Sequence, residues 1–331
     1  MRLRMVALTA LGLGHAGLGQ AGIEPVDLLR LSEAFRLSQA VQPSVWAAWE
    51  TAPFPVVLVT PDREFFTGSP KPPAGFEPVG DSTVIQGGIW SRPRQFDPAL
   101  LATFPAFGPP AVIVIGRAEV TKKTSTAWVL TVLHEHFHQY QMSDPRYFSA
   151  TEGLDLSGGD RTGMWMLNYP FPYQSREVVA SFEAVSRELA RVLSSSSPID
   201  RQRFWQAYTK FLATLSERDR RYLSFQVWQE GVARYVELRV AEVAASAYTP
   251  TAEFQKLPDV ETFAAAAARL RQEILSELAS ADLQKQRRVS FYALGASLAL
   301  LLDQDGADWK ARYLTDKFFM EKYAGVTPGP G

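Results

Sequence analysis

The sequence predicts an α+β fold built as one unit: a small β-rich part over residues 22–120, then a mainly helical part over residues 121–324. Three observations predict it. Between Pro53 and Gly116, short β-branched runs alternate with loops rich in Pro and Gly. From Thr126 onward, apolar residues recur at helical spacing with few breaks. No internal repeat, heptad run or linker separates the two parts.

Composition narrows the chemistry. With 331 residues, 46% hydrophobic and 21% charged, the chain can bury a sizeable core. A net charge of −1 carries no signature of nucleic-acid or anionic-membrane binding. The absence of cysteine excludes disulfides, thiolate metal sites and cysteine nucleophiles. Any metal must therefore be held by His, Asp or Glu.

The first 21 residues read as an export signal. Met1-Arg2-Leu3-Arg4 is a basic start, an apolar run follows from Met5 to about Gly19, and small residues surround Gln20-Ala21-Gly22. That run is short and Gly-rich for a membrane span, which needs ~20 strongly apolar residues. The mature chain is expected to be periplasmic or extracellular, without stable membrane insertion. An uncleaved N-terminal anchor is the competing reading.

In order, Glu24 to Trp49 has helical apolar spacing for one or two short helices. Strands are expected at Val56–Thr60, Thr83–Ile85 and Ala111–Ile115, where β-branched residues cluster. Thr124 or Ser125 is the expected N-cap of a helix from about Thr126 to Met142. This helix is apolar nearly all round and so should be central. Ser143 to Gln174 is a long aperiodic stretch, rich in aromatics and proline. Such a stretch either pins a loop to the core or forms a substrate wall. Its Asp155 and Asp160 fit no calcium-loop spacing. Helices are expected at Glu177–Leu193, Arg201–Glu217, Arg220 to about Ala245, Val260–Leu283 and Val289–Leu302. Gly325 to Gly331 should be a disordered tail.

The central helix carries the chemistry. His134-Glu135-His136-Phe137-His138 matches H-E-x-x-H. At 3.6 residues per turn, His134 and His138 lie one turn apart on one face and can grip one Zn²⁺. Glu135 flanks that face and can take a proton from water held at such an ion. His136 points to nearly the opposite side. The chain has four histidines and three of them lie in this motif, which composition alone does not explain.

A catalytic zinc uses three protein ligands and an open position. With no histidine left, the third must be a carboxylate, and Glu230 is the best candidate. It sits between Trp228 and Val232, where burying a carboxylate is costly without a cation. Gly231 and Ala233 beside it allow another helix to approach. A surface or salt-bridged Glu230 is the competing reading. Glu237, two turns on, is the second-choice ligand or a partner for a histidine N–H.

These motifs resemble the glutamate-zincins (gluzincins), and among them the M1 aminopeptidase type. The family's H-E-x-x-H-Q-W is matched by His134 to Tyr140, and its W-L-N-E-G-F-A-x-Y by Trp228 to Tyr235 with one residue fewer before Glu230. Its Y-x-x-G element is matched by Tyr292-Ala293-Leu294-Gly295. The resemblance implies a zincin-like fold, with the sheet beside the metal helix and an edge strand able to hold an extended peptide. It implies one zinc ion on His134, His138 and Glu230, Glu135 as general base, and Tyr292 as donor to the oxyanion. The resemblance covers three motifs. Residues 139–229 separate the second histidine from Glu230, far more chain than in the M1 type. The G-x-M-E-N element that holds a substrate amine has only a loose echo in Gly116-Arg117-Ala118-Glu119.

The expectation is a secreted zinc-dependent hydrolase, foremost a peptidase acting on peptide or small amide substrates. The rival is a catalytically inactive metal-binding or interaction protein on the same scaffold. Arg288, one turn before Tyr292, can meet a substrate carboxylate, although an arginine there is more often a surface residue.

Overall fold

A computed structural model describes residues 22–82, 85 and 87–326. The expected export segment lies outside the described residues, as do residues 327–331 of the expected tail. Gly325 closes a final turn in the left-handed region.

The chain folds as α+β, with one mixed sheet and a larger helical part. Pro25–Val45 forms one continuous helix, α1, rather than two. Pro25 starts it with a φ already suited to a helix, and Asp27 lies in its first turn. The strands are β1 (Val56–Val59), β2 (Arg63–Thr67), β3 (Glu77–Gly80), β4 (Ile89–Pro93), β5 (Leu101–Phe104) and β6 (Val112–Gly116). Their order is β3-β4-β2-β1-β6-β5. Only β1 and β6 pair in parallel, with Val57 opposite Val114.

β1 and β6 are the expected runs at Val56 and Val112, and both are buried along their whole length. Of the other four strands, β2, β3 and β4 carry Arg, Glu or Pro, and β5 is only the four residues Leu-Ala-Thr-Phe. Tertiary pairing supplies what their sequence does not. Glu64 on β2 is fully buried, bonded to Arg92 of β4 at 2.6 Å, and accepts the Gln95 N–H at 2.7 Å. Arg92 lies over the rings of Phe76, Phe96 and Phe107, which cover the outer face of the sheet. Of the strand expected at Thr83–Ile85, Thr83 and Val84 lie outside the described residues, and Ile85 is in a bend.

The sheet divides its side chains by strict alternation. Val57, Val59, Val112 and Val114 face a small aromatic-capped cluster, whereas Val56, Leu58, Ile113 and Ile115 face the helices. That second face continues as one apolar core through α1 and the helical half.

α2 spans Ser125–Ser143, with the Thr124 hydroxyl accepting the Ala127 N–H at 3.3 Å. It is buried on nearly every side, between the sheet and the helices that follow. The stretch after it contains two short helices, α3 (Tyr147–Glu152) and α4 (Trp165–Asn168). Asp160 caps the turn leading into α4, accepting from Thr162 and from the Trp165 N–H. Phe171 and Tyr173 are buried against Phe291, and Tyr169 stacks on Tyr222, so these aromatics pin the stretch to the core.

The remaining helices are α5 (Arg176–Ser195), α6 (Pro198–Ala213), α7 (Glu217–Gln226), α8 (Val232–Ala247), α9 (Ala252–Gln255), α10 (Phe263–Ala279), α11 (Leu283–Gln286), α12 (Ser290–Gln304) and α13 (Trp309–Arg312). α7 and α8 are the helix expected from Arg220, but a π-helical turn at Val227–Gly231 interrupts it. α10 ends before the expected Leu283, and α9 lies between the helices expected to end near Ala245 and to start at Val260. No helix among the described residues is long and apolar enough to cross a membrane.

Candidate metal centre

Three elements converge on one point: the middle of α2, the π-helical turn between α7 and α8, and the first turn of α12. His134 and His138 present rings 5.0 Å apart on one face of α2. Glu230 comes from the π-helical turn. One ligand atom from each of His134, His138 and Glu230 lies within 4.8 Å of the other two. His138 Nε2 is 3.5 Å from Glu230 Oε2, and the Glu230 side chain keeps 20% exposure, which leaves one side open.

The π turn has a local consequence. An i→i+5 turn widens the helix and shifts the carbonyls that an α-helix would pair. The Trp228 carbonyl accepts the Tyr313 hydroxyl at 2.8 Å, and the Gln229 carbonyl accepts the Gln141 amide at 2.9 Å. Gln141 Nε2 also lies 2.6 Å from the Tyr313 hydroxyl. With its nitrogen held there, the Gln141 oxygen must face His138, whose Nδ1 is 2.7 Å away. Nδ1 therefore carries a proton and donates to Gln141, which leaves Nε2 as the nitrogen that faces Glu230. Gln229 is a further neighbour of the same Nδ1, at 3.1 Å, and its oxygen accepts the Tyr147 hydroxyl.

His134 is oriented in a similar way. Its Nδ1 faces Glu237 Oε2 at 3.7 Å, and Glu237 is held by Arg234 at 2.8 Å. Glu237 thus stands behind His134, outside the three-residue group, as a partner for the ring N–H. Burial would raise the Glu237 carboxyl, but the Arg234 guanidinium and His134 hold it well below the usual range.

Charge in the group is finely set. Burial would push His138 down, but the Glu230 carboxylate outweighs it and lifts the imidazole to about 9. Burial would likewise raise Glu230, yet His138, His134 and a hydrogen bond from Tyr292 bring it to about 2. Imidazole and carboxylate thus each favour the charged form of the other.

Glu135 lies on the sheet side of this face. Its Oε2 accepts the hydroxyl of Thr103 at 2.8 Å. Thr103 belongs to β5, an edge strand that pairs only with β6 among the described residues. His136 faces away, stacked on Phe54 with ring centroids 3.7 Å apart. Burial takes its pKa down to about 3, so it is neutral. Gln139 orients it, accepting Nδ1–H while donating to the carbonyls of Pro55 and Ala111.

The Tyr292 hydroxyl faces Glu230 and accepts from Arg288 Nη1 at 2.7 Å. Burial and the Glu230 charge push the phenol well up, so it stays protonated and able to donate. Glu119, the loose echo of an amine-holding acid, instead pairs with Arg30 at 2.7 Å. Sequence reasoning missed Thr103, Gln141, Gln229 and Tyr313. Only Gln141 left a signal, since it stands three residues after His138 just as Gln139 stands three after His136.

The donor set suits a borderline divalent ion: two imidazole nitrogens and a carboxylate, with His138 fixed by Gln141 at its other nitrogen and His134 facing Glu237. Comparison with protein families, curated proteins and solved structures finds no match.

Proposed function

We propose that this chain is a zinc-dependent hydrolase of the gluzincin kind, with a zincin-like arrangement of sheet and metal helix, that cleaves peptide or amide bonds. The observation that carries this reading is the convergence of His134, His138 and Glu230 with Glu135 beside them. In this reading the two Nε2 atoms and the Glu230 carboxylate hold one zinc ion. When bound, zinc supplies Lewis acidity, which acidifies water and polarises an amide carbonyl.

The chain's own groups do the rest. Glu135, fixed by Thr103, accepts the proton of the attacking water and returns it to the leaving amine. Tyr292 donates its hydroxyl hydrogen to the carbonyl oxygen as negative charge develops there, and the Arg288 bond strengthens that donor. The edge strand β5, half-buried and next to Glu135, suits an extended peptide. Gln141 and Glu237 keep the imidazoles turned to the ion. An export segment at residues 1–21 fits a hydrolase working outside the cytoplasm.

Metal analysis and peptide hydrolysis on three proteins test this. Wild type should carry one zinc and hydrolyse peptides; His138→Ala should lose the zinc; Glu135→Gln should keep it and lose at least ~10²-fold in kcat. Zinc retention with no hydrolysis by wild type would favour the inactive metal-binding rival. Wild type without zinc would remove both readings.

A further inference from the structure

Beside the metal centre lies a cavity of about 330 Å³, bounded by the end of α4, the Tyr169–Tyr173 segment and the turn after α11. Asn168, Tyr169, Tyr173, Gln286, Arg287 and Arg288 line it, and no carboxylate does. Asp219, which accepts the Tyr169 hydroxyl at 3.0 Å, is not among the lining residues. Neither arginine forms an ion pair among the described residues. Arg288 uses one N–H on Tyr292, leaving most of its five donors without a protein acceptor. Arg287 reaches over the Tyr173 ring, 5.8 Å from its centroid. Its backbone sits at φ 51°, ψ −130°, a conformation costly for a residue with a side chain. Two adjacent cations, one on a strained backbone, with polar neighbours and no carboxylate in ion-pair contact among the described residues, suit an anion.

Arg288 connects this cavity to the proposed chemistry. It lines the cavity and donates to Tyr292, whose hydroxyl faces Glu230. The Tyr292 hydroxyl, 2.7 Å from the guanidinium, stands between it and Glu230, a proposed zinc ligand. One residue of extended chain covers ~3.3–3.6 Å, so one or two residues span that gap.

Resting on the hydrolase reading above, the geometry points to a substrate class: peptides with a free C-terminal carboxylate one or two residues beyond the cleaved bond. Arg288, with Arg287 beside it, receives that carboxylate. Cleavage then proceeds from the C-terminal end.

The test compares one tetrapeptide with a free C-terminus and its C-terminal amide, both blocked at the N-terminus. On zinc-loaded wild type, kcat/KM for the free acid should exceed that for the amide by at least ~30-fold, in line with a charged bidentate contact. Isothermal titration of zinc-loaded Glu135→Gln should show the same preference in binding. Arg287→Gln and Arg288→Gln should each raise KM for the free acid and shrink its preference over the amide; Arg288→Gln should also lower kcat for both peptides, because Arg288 bonds the Tyr292 hydroxyl. Equal cleavage and equal binding of the two peptides, or binding of neither, overturns the assignment, and this comparison needs no arginine variant to fold. Metal analysis separates the two failures. A protein without zinc ends the hydrolase reading, whereas a zinc-bearing hydrolase that treats both peptides alike ends only the carboxylate assignment.

Discussion

Gly231 and Gly295 meet with no room for a side chain between them. A Cβ on Gly231 would lie 2.4 Å from the Gly295 Cα, and one on Gly295 would lie 2.5 Å from the Val227 carbonyl oxygen. Neither glycine has a positive φ, so the reason is distance between helices, not backbone conformation. The contact presses the π-helical turn against α12, and that brings Glu230 to Tyr292. The small residues after Glu230 do admit a helix, but it is the tyrosine-bearing α12.

Gly295→Ala should force the two helices apart. Overpacking of this kind costs about 1–3 kcal/mol, read by chemical denaturation. Zinc affinity should fall in the same variant, because Glu230 and Tyr292 move with the backbone. An alanine variant with wild-type stability and zinc affinity would refute the role given to this contact.

Gln141 and Gln139 make the same i,i+3 bond to a histidine, yet their substitution should act on different properties. Gln141→Leu frees the His138 tautomer and should weaken zinc binding about 10–100-fold. Gln139→Leu removes the donor to the Pro55 and Ala111 carbonyls and should cost about 1–3 kcal/mol of stability with zinc affinity unchanged. Competition with a chromophoric chelator, alongside denaturation, separates the two. Matching effects in both variants would show that the His138 orientation is not set by Gln141.

Glu237→Gln keeps an oxygen for the His134 N–H but removes its charge. Zinc affinity should drop about 10-fold, the lower end for an outer partner of a ligand histidine. Glu273→Gln, which also contacts Arg234 but is far more exposed, should leave affinity within experimental error. If both substitutions weaken zinc alike, the Arg234 network as a whole orients His134.

Glu321 supplies a pH dependence away from the metal centre. Burial raises its carboxyl from 4.5 to about 7, and the side chain has no ion-pair partner among the described residues. The folded state therefore prefers the protonated acid. Stability is full below pH 4.5, where both states are protonated, and falls as pH rises towards and past 7. About 2.5 units at 1.36 kcal/mol each gives a loss of about 3 kcal/mol by pH 8. Glu321→Gln should remove that loss, so denaturation midpoints of variant and wild type should diverge between pH 5 and pH 8. Parallel curves across this range would contradict the raised carboxyl.

The sequence by itself determined the α2 helix with its cap, the central strands β1 and β6, and the positions of His134, Glu135 and His138. Each depends on spacing along one short segment, and the periods of helix and strand are local. It also flagged Glu230, through the expense of a carboxylate among apolar neighbours. Tertiary structure alone decided the rest. Strands β2 and β4 pair where Glu64 finds Arg92, and no period in either segment announces that pairing. The hold of Gln229 and Tyr313 on Gln141, the place of Glu237 behind His134, and the approach of Tyr292 to Glu230 join residues far apart in the chain. Which distant groups meet is set by how helices pack, and here that packing turns on two glycines small enough to let α12 touch the turn that carries Glu230.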